Sequence, residues 1–452
     1  MGNHTTTLTL RRAVMALACG MLGHVAEAGT FEDILTATYA NNPSIKAARQ
    51  QLEVTDESLA QATSGFRPTI GGNYNRGQQR TSFGNSDFSY GASETGQVRF
   101  SQPLFRGGGT LASLKAARQQ VKAGQFALES TQQRVLLQAA TAYMDVVANS
   151  AILQLARENL GLHDKQVDSA QERFKVGEVT RTDVSQSQTR QLDAKSAMNS
   201  AEGQLLNSIA TFERVVGFRP EGTLTVPEKL PELPVSLSEA LIMGHHANPQ
   251  LLEAIHTAKS AKFAVGISEA RLLPTVSLVG ELSRQQGAGV QGNSRFDQDA
   301  LTVQFAVPLY QGGAEWSQVR QASATARQRD QQSMDMRLII DQSVTQSWND
   351  LETALSLITT RDAQVKAAQT ALDGVTQEQQ FGARTVLDVL DAQQELFSAR
   401  TNLVRAQRDR IIAAYNLSVT LGQMTPANLG LSTASYDAKT HADDVEWQPF
   451  GF

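Results

Sequence analysis

The side chains that carry out chemistry are few in this chain, and they are spaced badly for it. His245 and His246 are adjacent, whereas metal ligands on one helix face stand three or four positions apart. Cys19 is the only cysteine, so no thiol pair exists. The Gly107-Gly108-Gly109 and Gly312-Gly313 runs follow strand-like segments, as a nucleotide loop does. Neither is followed by the Lys-Ser/Thr that such a loop uses to reach phosphate, and they read as strand-to-helix joints. The metalloprotease H-E-x-x-H and hydrolase G-x-S-x-G signatures are absent. These patterns predict no catalytic residue, no cofactor and no metal. Asp388 and Asp391 stand at i and i+3, so on a helix they share a face. Their plainest role is negative charge at a helix N-terminus, which the helix dipole favours. Anything more depends on what that helix belongs to.

It belongs to a plan written twice, about 205 residues apart. Asn42-Pro43 is echoed by Asn248-Pro249, and Arg67-Pro68-Thr69 by Leu273-Pro274-Thr275. Pro103-Leu104-Phe105-Arg106-Gly107-Gly108 is echoed by Pro308-Leu309-Tyr310-Gln311-Gly312-Gly313, and Gly217 by Gly422. The period is too long for a solenoid unit, so this is a two-fold duplication within one subunit. Each Gly-Gly joint opens a proline-free helical pattern, over Thr110–Lys175 and Ala314–Gln380. Each is roughly 100 Å long at 1.5 Å per residue, too long to bury itself in one globular domain. Shorter helices return over Thr182–Val216 and Asp388–Leu421. Two more run over Phe31–Ser64 and Ser236–Arg271, each interrupted at its Asn-Pro. Thr182–Val216 is expected to continue end to end into Ser236–Arg271 across the linker with Pro227, Pro231 and Pro234. Asp388–Leu421 is expected to pair likewise with Phe31–Ser64. Val176-Gly177 and Phe381-Gly382 mark the far tips of two helical hairpins, each a C-capping glycine followed by an Asp that opens the next helix.

Four strand signals lie at the other end. Leu301, Val303, Phe305, Val307 and Leu309 alternate with Thr302, Gln304 and Ala306. Comparable segments run over Pro68–Asn75, Gln97–Leu104 and Pro274–Leu282, joined by polar loops over about residues 76–95 and 284–299. A soluble sheet with one wet face shows this alternation, and so does a transmembrane β-barrel. Four strands cannot close a barrel, and an open edge in lipid leaves backbone groups unpaired. A membrane reading therefore demands an oligomer: two copies give eight strands, three give twelve.

The start of the chain favours export. Arg11-Arg12, the apolar run Ala13–Leu22 and Ala26-Glu27-Ala28 read as a signal peptide over residues 1–28, cleaved between Ala28 and Gly29. The chain carries a formal charge of −5, and removing the signal leaves about −6. With no basic patch, nucleic acid is not an expected partner. Aromatic residues make up only 6%, which suits thin helical layers better than a thick globular core. The expected organisation is a first repeat over 29–217, a Pro-rich linker over 218–235, a second repeat over 236–422 and a tail over 423–452. The fold class expected is mixed α+β, mainly long helices with four strands per subunit.

The stretch Val386-Leu387-Asp388-Val389-Leu390-Asp391-Ala392-Gln393-Gln394-Glu395-Leu396-Phe397, following the Phe381-Gly382 tip, resembles the most recognisable segment of the TolC family of outer-membrane channel-tunnel proteins. The resemblance extends over essentially the whole exported chain in both copies. Tyr436-Asp437, His441 and Val445 resemble the C-terminal pattern of that family's type I secretion branch. The resemblance implies a homotrimer, with a shared twelve-stranded barrel in outer-membrane lipid and an α-barrel tunnel through the periplasm. It implies a passive conduit and no enzyme, working with a periplasmic membrane-fusion adaptor and an inner-membrane transporter, ABC or proton-driven. By position, Asp388 and Asp391 match aspartates lining the periplasmic entrance, where a trimer would stack two carboxylate rings that attract cations. Arg384 matches an arginine linking neighbouring hairpins, with Thr182 and Asp183 as its expected partners. Gln379 stands where the best-known closure lock of the family has a tyrosine. Val176, Gly177, Phe381 and Gly382 match tips that meet the adaptor. Protein secretion is the leading expectation and small-molecule efflux the alternative. A soluble periplasmic coiled-coil scaffold is the reading from a different class.

Overall fold

The computed structural model describes residues 30–81, 89–227, 229–287, 295–433 and 436–448. Cys19 and the expected cleavage site at Ala28 and Gly29 lie outside the described residues. In chain order the elements are α1 (Phe31–Asn41), α2 (Pro43–Ser64), β1 (Thr69–Thr81), β2 (Ser89–Arg106), α3 (Gly109–Lys175), α4 (Arg181–Val216), α5 (Leu237–Ala247), α6 (Pro249–Glu269), β3 (Thr275–Gly287), β4 (Arg295–Ala306), α7 (Ala314–Gln380), α8 (Val386–Thr420) and α9 (Thr440–Val445). The two long helices are each 67 residues. Both begin after a glycine with positive φ, at Gly108 (81°) and Gly313 (82°), a conformation glycine adopts without strain.

The strands form one antiparallel sheet in the order β1-β2-β3-β4, leaving β1 and β4 as unpaired edges. Its register aligns Ile70, Phe100, Gly280 and Leu301 in one row. The adjacent row is Gly71, Arg99, Glu281 and Ala300, pointing to the opposite face because side chains alternate along a strand. On the apolar face Ile70 and Leu301 are each 74% exposed, and Val303, Phe305 and Leu282 are exposed with them. On the polar face Gln97 donates to Glu281 Oε1 at 2.7 Å.

The hairpins are longer than the expected segments. Residues 76–81, 89–95, 284–287 and 295–299 are strand rather than loop, and β4 ends at Ala306 rather than Leu309. Past Tyr74 and Leu282 the apolar alternation gives way to charged side chains. Arg76 pairs with Glu94, and Arg284 with Asp297. The backbone ladder continues there because it needs no apolar face.

The stacking of the short helices also differs from expectation. Asn42, the N-cap of α2, donates from Nδ2 to the Val215 carbonyl at the end of α4, at 2.7 Å. Asn248, the N-cap of α6, donates likewise to Thr420 O at the end of α8, at 2.9 Å. So α4 continues into α2 and α8 into α6, each pair within its own repeat rather than across the linker. The cause is local. A helix end leaves carbonyls unsatisfied, and the Asn side chain caps its own helix while bonding the one beneath it. Pairs of 36 and 22 residues, and of 35 and 21, thus run beside the 67-residue helices.

The principal core lies midway along the helices. Phe31 meets the Tyr143 ring edge-on at 5.1 Å, beside buried Leu35, Ile45, Phe212 and Tyr415. Tyr143 donates to Thr225 O at 2.7 Å, which fixes the linker to α3. The tail then climbs along α2 towards the foot of β1. His441 Nδ1 lies 3.2 Å from buried Asp56, Thr63 donates to Glu446 O at 2.8 Å and Arg67 to Gln448 O at 2.7 Å.

Candidate functional site: the hairpin tips

Two turns of one design close the far ends of the helices. At the first, Gly177 (φ 78°) follows α3; its N–H donates to Phe174 O, and Glu178 N–H reaches back to Arg173 O. At the second, Gly382 (φ 76°) follows α7; its N–H donates to Gln379 O, and Ala383 N–H to Glu378 O. Each return helix opens on a capping box. Asp183 Oδ2 accepts from Thr180 N and Oγ1, both at 2.8 Å, and Asp388 Oδ2 accepts from Thr385 N and Oγ1 at the same distances. These hydrogen bonds, the backbone one foremost, hold both carboxyls below the ordinary carboxylate range. The Asp388 carboxylate is therefore committed to its own helix cap within the subunit.

Arg384 does not reach Thr182 or Asp183 within the subunit. Its Nε donates to Glu378 Oε2 at 2.8 Å, in the last turn of α7, while Asp183 is held by Thr180. The other tip carries the same bridge with its charges exchanged: Arg173 Nε donates to Glu178 Oε2 at 3.0 Å. Gln379 contributes its carbonyl to the turn. The apolar tip residues Val176 and Phe381 are 72% and 88% exposed, more than any packing within the subunit requires.

A bond near the tips that joins the two hairpins is one that sequence reading missed; farther up, Arg408 on α8 also holds Asp145 on α3. Arg190 Nη2 on α4 lies 2.6 Å from Asp391 Oδ1 on α8. Beneath it, His163 on α3 is buried, its Nδ1 has no hydrogen-bond partner, and burial followed by the nearby Arg190 charge pushes its pKa down. The available signal was a break in the repeat: Arg190 stands where the second copy has Glu395, and His163 where it has Ala368. Among the described residues no group of His, Cys, Asp or Glu stands together as metal ligands.

Residues 34–217 and 245–423 match the family described as outer membrane efflux protein. The chain belongs to that family. It is 32% identical over 442 residues to the outer membrane efflux protein BepC of Brucella suis, covering 97% of this chain and 95% of that protein. It is 26% identical to the alkaline protease secretion protein AprF of Pseudomonas aeruginosa, covering 88% and 85%. The crystal structure of the Campylobacter jejuni CmeC outer membrane channel has the same fold, with a TM-score of 0.78 at 15% identity over 92% of this chain and 89% of that one. The resemblance to TolC-family channels is thus upheld. Membership places the chain in the Gram-negative outer membrane as a channel-type transport protein, with its helices in the periplasm. The exposed apolar face of the sheet is the surface that lipid covers, and the soluble scaffold is set aside.

Proposed function

We propose that three copies of this chain form the exit duct of a tripartite export system, passively conducting cargo from an inner-membrane transporter and a periplasmic adaptor to the exterior. The observation carrying this reading is the open sheet. It has two unpaired edges, β1 and β4, and one exposed apolar face. In lipid each unpaired edge group costs several kcal/mol, so β4 of one copy must meet β1 of the next, and three copies supply twelve strands. The helices beneath then enclose a tunnel ending at the tips. Val176, Gly177, Phe381 and Gly382 form the adaptor-contacting surface. Asp388 and Asp391 stand at the entrance, with Arg384, Thr182, Asp183 and Gln379 in its closure.

The cargo we assign is protein, as in type I secretion. The ordered tail along α2 and the likeness to a protease secretion protein support it. Efflux of small molecules is the second reading, favoured by the identity to BepC. Membership of a family of channel proteins supports assigning no enzymatic step; energy comes from the transporter, ABC or proton-driven. The test is the detergent-solubilised protein: trimer mass by light scattering, and discrete conductance steps in planar bilayers. A monomer that stays soluble without detergent would sink the proposal.

A further inference from the structure

The Arg190–Asp391 bond alters what an entrance carboxylate can do. Asp388 is hydrogen-bonded in its cap, which keeps it ionised, and Asp391 is the carboxylate that remains to bond outside its own helix. It is not free in this structure: Arg190 holds it at 2.6 Å, with the two side chains 35% and 56% exposed. Rival partners for Arg190 are otherwise disposed. Asp164 on α3 accepts from Gln191 Nε2 at 2.7 Å. His163 is buried, and burial followed by the Arg190 charge pushes its pKa down. Asp193, one turn on along α4, makes no bond to it. The second copy puts Glu395 where the first has Arg190, so the cation is present on one hairpin only.

We propose that Arg190 determines the charge selectivity of the entrance, neutralising the Asp391 layer while α4 and α8 lie together and releasing three carboxylates only when the hairpins part. This rests on the trimeric-duct reading above. A bare carboxylate ring would hold cations in the resting channel; a ring paired with arginine would not, because the opposite charge sits within contact distance. This residue pair thereby links the two hairpins near their tips and sets the charge of the Asp391 layer, while the Asp388 layer stays negative in parent and variants alike.

The experiment uses the full trimer in planar bilayers, with hexaamminecobalt(III) as a trivalent blocker and a KCl gradient for ion preference. Arg190→Gln should be blocked at concentrations lower by about tenfold or more than the parent, since an unpaired ring attracts multivalent cations, and its reversal potential should move towards cation preference. Asp391→Asn should move the reversal potential the other way. The double variant should return to parent-like block, and Arg190→Lys should stay close to parent. Arg190→Gln channels with unchanged block and unchanged reversal potential would overturn the inference and leave the duct reading intact. A parent trimer that forms no channel would overturn the duct reading itself.

Discussion

Gly217 and Gly422 occupy the same place in the two repeats, yet substitution should affect them very differently. Both have positive φ, 98° and 74°, so alanine at either site costs about 1 kcal/mol in backbone strain. At Gly217 an added Cβ meets nothing within 4 Å. At Gly422 it would overlap the Ala247 carbonyl oxygen and lie 2.5 Å from the carbonyl carbon and 3.0 Å from Asn248 N. Backbone cannot rotate out of the way as a side chain can, so the end of α8 must pull back from the α5–α6 turn. That breaks the Asn248–Thr420 bond, worth about 1 kcal/mol net. It also loosens Leu417 and Leu421, both fully buried, losing about 2 kcal/mol if one leucine's worth of apolar surface opens. Gly422→Ala should therefore cost about 4 kcal/mol and Gly217→Ala about 1 kcal/mol. Urea titration of the two variants in one detergent, followed by far-UV circular dichroism, reads the difference directly. Equal midpoint shifts would refute the argument that backbone proximity at the α8–α6 junction sets the cost.

The other expectations concern the same joints. Asn42→Ala and Asn248→Ala each remove an N-cap and orphan a carbonyl of the stacked helix, so each should cost about 2 kcal/mol; a loss typical of an exposed cap alone would show that the inter-helix bond contributes nothing. His163 has a folded pKa below its ordinary 6.5, so the folded state binds fewer protons there. Its stability is complete above about pH 6.5 and is lost as pH falls towards the depressed value. His163→Gln should flatten that acid-side decline in melting temperature, and a parallel decline would point to another group. His441→Ala removes the hydrogen-bond partner of buried Asp56, at about 1–3 kcal/mol. Hydrogen exchange across residues 436–448 should then quicken, and unchanged protection would show that the tail docks without it.

What could be read from the sequence divides along a physical line. The limits of α7 fall where the second copy places them, between the Gly313 joint and the Phe381-Gly382 tip, because glycine punctuation and the absence of proline are local signals. The Asn-Pro interruptions fall where expected for the same reason: proline is tolerated at the first helical position and the Asn before it caps. The outer halves of the strands were not legible. Arg76, Glu94, Arg284 and Asp297 lie above the apolar belt, where the two-residue period loses its hydrophobic contrast while the backbone still pairs. The stacking partner of each short helix was hidden because it is decided by a bond between Asn42 and Val215, far apart in sequence, rather than by chain order. Arg190 was hidden for the same reason, since its partner lies on the other hairpin.

The duplication explains why the informative residues at the tips are those where the copies disagree. Two identical hairpins packed side by side would set like charges against each other at every matched position, which costs free energy. The copies avoid this by exchanging sign: Arg173 stands against Glu378 in the alignment of repeats, and Arg190 against Glu395. At the turns the exchange is harmless, since each Arg–Glu bridge closes within its own tip. At Arg190 it is not, because the bond leaves the hairpin and reaches Asp391 of the other. The positions that stayed alike, Thr180 with Thr385 and Asp183 with Asp388, serve each helix alone. The copies thus differ both in bridges that close within one tip and in the Arg190 bond that crosses to the other hairpin, while the capping residues are retained. Arg190 and the buried His163 beneath it are departures of the first copy that lie where its hairpin meets the other.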